Sequence, residues 1–198
     1  MASATVNYDS SRYAKVNRFD PHHWRRVRSA FGDLAGMRLL EVGSGRGLLL
    51  RRLQHAGADA FGIDANPEAA RASVAANSLT GRAHDLPFAD ASFDGIVSVH
   101  TIEHLPMLDD ALAEMVRVVR PGGRILLIYP AEPVRGLWAV PTAIILHRDP
   151  LMARKVHCFR LTPKRLRRRM HRLPVAEIRS DFSLWRWPQY SSVFDRLH

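Results

Sequence analysis

In LLEVGSGRGLLLRRL (39–53) an apolar run ends in an acid, Glu41, and then in Gly43, Gly45 and Gly47, before a helix-like stretch. Glycine lets the main chain approach a ligand with no Cβ in the way, and a following helix presents free N–H groups. The next apolar run, DAFGID (59–64), closes on Asp64, and GRAHD (81–85) closes on Asp85. At the end of a second strand a carboxylate suits ribose hydroxyls, and a carboxylate after a third strand can read an adenine edge. The loop departs from the dinucleotide pattern G-x-G-x-x-G, because its third glycine comes one place early and Leu48 takes the expected position. Glu41 sits poorly for a pyrophosphate and suits a ligand that carries positive charge.

A second set of residues could move protons. His100 and His104 bracket HTIEHL (100–105), His157 lies in ARKVHCFRLTP (153–163), and Tyr129 ends RILLIYP (124–130). Histidine near neutral pH suits removal of a proton from a hydroxyl nucleophile. His157, His100 and Tyr129 are the candidate catalytic groups, with Tyr129 expected to face the mouth of the site. Glu103 and His104 read as structural residues at a helix entry. Tyr8 and Tyr13 could close over the site from the N-terminal segment. The His, Asp and Glu residues form no recognisable metal spacing, so no metal is expected.

Periodicity supplies the elements that must position these groups. Strands are expected over 37–42, 59–64, 81–85, 93–100 and 124–130, and helices over 47–57, 66–77 and 107–119. Asn66 reads as an N-cap with Pro67 at the first helical position. Strands alternating with helices predict an α/β, doubly wound parallel sheet with helices on both faces. After 130 the alternation lapses, and 131–160 reads as an irregular insertion or cap. A helix over 162–173 and two edge strands, 175–180 and a stretch within 184–194, complete the pattern. One domain over 1–198 follows, with a core at 37–130, a cap and substrate region at 131–172, and edge strands at 173–198.

Four ordered segments, LLEVGSGRG, GIDANPE, AHDLPFADASFDGIVSVHTIEHL and RPGGRILLIYP, resemble successive motifs of class I S-adenosylmethionine-dependent methyltransferases. The likeness is to the small-molecule branch, whose members carry an LPF…SFD segment, and it covers roughly residues 37–130. It implies a Rossmann-like sheet of seven strands, mostly parallel, with one antiparallel strand near the C-terminal edge. It implies S-adenosyl-L-methionine as cofactor. The loop from Gly43 to Gly47, with Glu41, Ser44 and Gly45, would lie against the methionine part. Asp64, followed by Ala65, would hold the ribose, Asp85 and Leu86 the adenine, and His100 would stand beside the sulfonium. In the cap, Glu132, Arg135, Trp138 and His157 are the candidate substrate residues, among the polar groups of a pocket that also includes His147.

The charge of the chain is +10 and uneven: 147–172 holds ten Lys/Arg against one acid, and 12–28 holds six against one. Such segments attract nucleic acid, anionic lipid or acidic substrates. The place after strand four reads SVHT, without the Asn/Asp-Pro-Pro-aromatic motif of enzymes that methylate exocyclic base nitrogens, so nucleic acid is not the favoured acceptor. The single cysteine, Cys158, excludes an internal disulfide. The longest apolar stretch, 136–146, is too short for a spanning helix, and MASATVNYDS has no signal pattern. The expected protein is a cytoplasmic enzyme transferring a methyl group to oxygen, nitrogen or carbon of a small-molecule or lipid acceptor. Trp185, Trp187 and Tyr190 near the basic stretches would let it rest on an anionic membrane. Rival readings are an RNA-binding methyltransferase using Arg165–Arg172, a non-catalytic cofactor-binding partner of another protein, and an NAD oxidoreductase. The oligomeric state is not legible in the sequence.

Overall fold

A computed structural model describes residues 20–184 and 187–198, with backbone alone for Thr142, Leu146 and His147. Tyr8, Tyr13 and Trp185 lie outside the described residues, as does the His147 side chain. The described chain runs α1 (Pro21–Phe31), β1 (Arg38–Val42), α2 (Leu48–His55), β2 (Asp59–Asp64), α3 (Pro67–Arg71), β3 (Ser78–Thr80), β4 (Phe93–Val99), α4 (Leu108–Val118), β5 (Val119–Pro130), α5 (Val140–His147), α6 (Ala153–Val156), α7 (Pro163–Met170), β6 (Val175–Leu184) and β7 (Pro188–Arg196). Short 3₁₀ turns cover Ile102–His104 and Pro150–Met152.

The strands form one seven-stranded sheet in the order β3-β2-β1-β4-β5-β7-β6. The pairs from β3 to β5 are parallel, and β7 runs antiparallel to both of its neighbours. The chain moves outward from β1 through β2 to β3, then crosses back to β4 on the other side of β1. That reversal between β1 and β4 opens a crevice at the carboxyl ends of the strands, the place where such sheets bind ligands.

Alternation along each strand builds two cores. Leu40, Val42, Ile96, Ile125, Leu127, Tyr129 and Phe194 join α4 and Leu166 and Met170 of α7 on one face. Leu39, Val97, Leu126, Ile128 and Val193 join Val27, Ala30, Leu50 and Leu53 of α1 and α2 on the other. The helices start where short polar side chains can satisfy first-turn N–H groups. Asp20 accepts from His22 N at 2.8 Å, and Asn66 accepts from Glu68 N at 2.8 Å and Ala69 N at 3.1 Å.

Two elements differ from the sequence expectation. The helix expected over 66–77 stops at Arg71, and the chain folds back until Val74 N bonds Arg46 O at 3.0 Å. The third strand is Ser78–Thr80 and not 81–85, because β2 ends at Asp64, the partner of Thr80, and leaves nothing to pair with beyond it. Residues 82–85 instead close a tight turn bridging Arg82 and Asp85. The cap is also more regular than expected. Helices α5 and α6 pack through Ala139, Ala143, Ala153 and Val156. Gly136, at φ +81°, lets the cap close on itself, since a Cβ there would lie 2.7 Å from the Ala153 carbonyl oxygen.

Candidate active site

Strand β1 carries Glu41 into the crevice, and the glycine loop is tied to β2 by Gly43 N and Ser44 N, which both donate to Ile63 O. The loop glycines answer first to the protein's own packing. A Cβ on Gly43 (φ +80°) would meet Thr101 Oγ1 at 2.0 Å, and one on Gly47 (φ +69°) would meet Ser73 Oγ at 2.3 Å. Gly47 caps α2 in the left-handed conformation without a side-chain acceptor.

Asp64, at the end of β2, receives Gly45 N at its Oδ2 (2.7 Å) and Asn66 N at its Oδ1 (2.9 Å). Burial pushes its carboxyl above the usual range in spite of those two donors. Glu41 is only 4% exposed, and its Oε2 has no hydrogen-bond partner. Burial, with Asp64 as a second negative neighbour, raises it well above the carboxylate range, and the Leu50 N–H offsets this only partly. Ser44 Oγ is likewise buried and unpartnered. An unpartnered carboxylate oxygen and an unpartnered hydroxyl at the strand ends suit a ligand that brings positive charge and hydrogen bonds.

Ala65 lies exposed beside Asp64, and Asp85 is exposed on its turn. Leu86 is buried, and its N–H is already engaged by Glu114 Oε2 at 2.9 Å. Its carbonyl is engaged by Arg117 as well, so its side chain is the part left for a ligand. Arg117, bonded to Glu114, Asp90 and the carbonyls of Leu86 and Phe88, holds that turn.

A cluster of imidazoles occupies the end of β4 below the cap. His100 follows the strand at φ +50°, an unusual conformation for a non-glycine residue. Its Nε2 and that of His23 each lie 3.1 Å from Gln189 Oε1, and their rings are 5.3 Å apart. Burial and the neighbouring His100 push His23 down to about 4. His100 suffers burial too, but Glu103 and Gln189 outweigh it and raise the ring. Glu103 is opposed by burial, yet the surrounding imidazoles hold it below the usual carboxylate range. Burial is the main cause that lowers His104.

Glu132 receives three donors: Gly136 N (3.0 Å) on Oε2, Trp138 N (3.0 Å) on Oε1, and His157 Nδ1 (2.8 Å) on Oε1. Glu132 thus orients the His157 ring, which lies 4.8 Å from that of His104. Trp138 is half-buried, its Nε1 donates to Ala131 O at 3.1 Å, and its ring leans on Trp187. Arg135 is exposed and donates to Cys158 O at 3.2 Å.

Tyr129 does not face the mouth. It is fully buried, its hydroxyl pairs with Ser192 Oγ at 2.9 Å, and burial pushes the phenol further up. Strand alternation sends Tyr129 into the core shared with α4. The structure brings together His100, Glu103, His104, Glu132 and His157, and adds His23 and Gln189. No sequence signal marked those last two, which come from an N-terminal helix and from the returning strand β7.

Residues 40–127 match a family model described as a methyltransferase domain. The demethylmenaquinone methyltransferase of Tropheryma whipplei is 34% identical over 57% of this chain and 50% of its own. The ubiquinone biosynthesis O-methyltransferase of Mesorhizobium japonicum is 33% identical over 69% of this chain and 61% of its own. In fold, the chain is similar to magnesium protoporphyrin IX methyltransferase from Synechocystis PCC 6803 with bound SAH, at TM-score 0.69 and 15% identity over 96% of each chain. Residues 40–127 are thus similar to a methyltransferase domain, and the sheet has the fold of such enzymes. It spans about half the length of the first curated relatives it matches.

Proposed function

We propose that the protein transfers a methyl group from S-adenosylmethionine to a small, largely apolar acceptor held between the strand ends and the cap at 131–172. The observation that carries this is the pair of carboxylates at the ends of β1 and β2. Glu41 is buried with an orphaned oxygen, and Asp64 is braced by the loop's own Gly45 N–H. The donor set suits the cofactor: Glu41 and Ser44 for the methionine end, and Asp64 with Ala65 alongside for the ribose. Asp85 and the Leu86 side chain would border the adenine, and His100 would stand near the reacting centre. The cofactor supplies the activated methyl group, and the protein supplies placement and proton handling. His157, oriented by Glu132, is the proposed base for an acceptor hydroxyl, with Trp138 and Arg135 on the substrate side. Tyr129 has no part in it. The relatives named for quinone methylation support a ring-bearing, lipid-like acceptor.

Among the described residues no helix is long and apolar enough to cross a membrane. Ile144, Ile145 and Leu151 are nonetheless exposed in a segment that also carries Arg148, Arg154 and Lys155, and Leu184 and Trp187 are exposed at the turn between β6 and β7. We infer a peripheral contact with anionic membranes through this face, where a lipid-like acceptor would be met. Cosedimentation with phosphatidylglycerol vesicles, and not with phosphatidylcholine vesicles, is the expected result; no cosedimentation with either removes the membrane contact. The function itself is tested by transfer of a labelled methyl group from S-adenosylmethionine to separated lipid and polar extracts. Label is expected in a lipid fraction. Cofactor binding with no labelled product in any fraction would replace this reading by a non-catalytic one.

A further inference from the structure

Glu103 is a buried acid in an unsatisfactory place. It is 1% exposed, and its Oε2 has no hydrogen-bond partner. The ring nitrogens paired with it, His100 Nδ1 at 3.5 Å and His104 Nε2 at 3.7 Å, both stand at or beyond the limit of a hydrogen bond. One oxygen of this buried carboxylate is thus left for a further positive partner.

The geometry supplies places for such a charge. One donor atom each from Glu103, His104 and His157 lie within 4.8 Å of one another. Both histidines have their other nitrogen committed. His104 Nδ1 donates to Val156 O at 2.7 Å, and His157 Nδ1 donates to Glu132 Oε1 at 2.8 Å. A backbone carbonyl beside one imidazole and a carboxylate beside the other are the kind of partners that orient metal-bound histidines. Glu132 is itself held by Gly136 N and Trp138 N, so the support extends into the cap.

We propose that Glu103, His104 and His157 bind one divalent cation of the zinc type, with a position left open toward the acceptor. Two imidazoles and one carboxylate with an open position form a donor set that zinc accepts in catalytic sites. The ion would join the end of β4 to the cap, tying the two halves of the acceptor site together, and would polarise an acceptor oxygen placed on it. The spacing hid this set, because Glu103 and His104 are adjacent while His157 arrives from the cap. The inference rests on the proposed acceptor site and revises it: the bound ion takes the His157 lone pair that would otherwise accept a proton. It also reverses the expectation that no metal takes part.

The test is metal binding by the full chain, read without activity. After chelator treatment and dialysis, the protein is titrated with Zn²⁺ by calorimetry and with Co²⁺ by visible absorption. About one ion per chain and a Co²⁺ spectrum of low coordination are expected. Glu132→Gln should weaken binding by about 10–100-fold through the His157 orientation. Glu103→Gln should weaken it by at least as much, and Cys158→Ser should leave it unchanged. Circular dichroism separates lost binding from lost folding: a folded Glu103→Gln chain that binds like wild type overturns the site. Absence of binding by the wild-type chain, or loss of binding in Cys158→Ser alone, overturns it as well. S-adenosylhomocysteine affinity, measured on the same samples, keeps the two readings apart. Cofactor binding without metal binding rejects the cation alone, and metal binding without cofactor binding rejects the methyltransferase reading alone.

Discussion

Replacing Glu41 by Gln should make the cofactor-free protein more stable, which is unusual for a buried residue. The wild-type side chain is 4% exposed, one oxygen is orphaned, and Asp64 adds repulsion. An unsatisfied buried polar group costs about 1–3 kcal/mol, and more when it is charged. Gln keeps the shape and can still accept from the Leu50 N–H, while its charge is gone. A gain of about 1–3 kcal/mol corresponds to a rise of roughly 2–12 °C in Tm for a chain of this size. The gain has a pH signature. Unfolded Glu41 titrates near 4.5, and the native group titrates higher. Below about pH 4.5 both states are protonated and the substitution brings nothing. The penalty on wild type grows as pH rises above that value and levels off once the native carboxyl ionises. Thermal melts of both proteins without cofactor, from acid to mildly alkaline pH, provide the assay. A difference that does not depend on pH, or a variant less stable than wild type at alkaline pH, would refute the reasoning.

His157→Ala should leave cofactor affinity nearly unchanged and cut methyl transfer by about 100-fold or more; normal turnover would make His157 part of the scaffold. Tyr129→Phe should lower stability by about 0.5–1.5 kcal/mol, the usual contribution of one hydrogen bond, without changing turnover. A variant that folds as wild type but turns over slowly would return Tyr129 to the active site. Gly43→Ala should be strongly destabilising, because the new Cβ lies 2.0 Å from Thr101 Oγ1, and Thr101→Gly in the same chain should recover part of the loss. Melting temperatures of the two single variants and the double variant that simply add would contradict the packing account of that glycine.

The part of the site built from contiguous sequence was legible. Strand β2 falls on 59–64 as expected, since its apolar run is bounded by Gly57 on one side and by the Asn66-Pro67 cap on the other. Glu41 and Asp64 followed from strand ends and a glycine loop. Local pattern also placed His157 and Glu132 in the cap, though not in contact. What eluded it was tertiary. Tyr129 reads as a strand-end residue, but the core on its side of β5 and Ser192 on β7 claim it. Gln189 reaches His100 only because β7 returns antiparallel beside β5. The stop of α3 at Arg71 follows from the return of the chain to the glycine loop, where Ser73 fills the space that a side chain on Gly47 would need.

The most direct measurement is calorimetric titration of the purified chain with S-adenosylhomocysteine, beside the same titration of Asp64→Ala. One bound molecule per wild-type chain is expected, with affinity weakened in the variant by about 1.5–3 kcal/mol, the loss of a hydrogen bond to a charged group. That is a factor of roughly 10–150 in Kd. No binding by the wild-type chain, or equal affinities in the two proteins, would contradict the placement of the cofactor at the ends of β1 and β2.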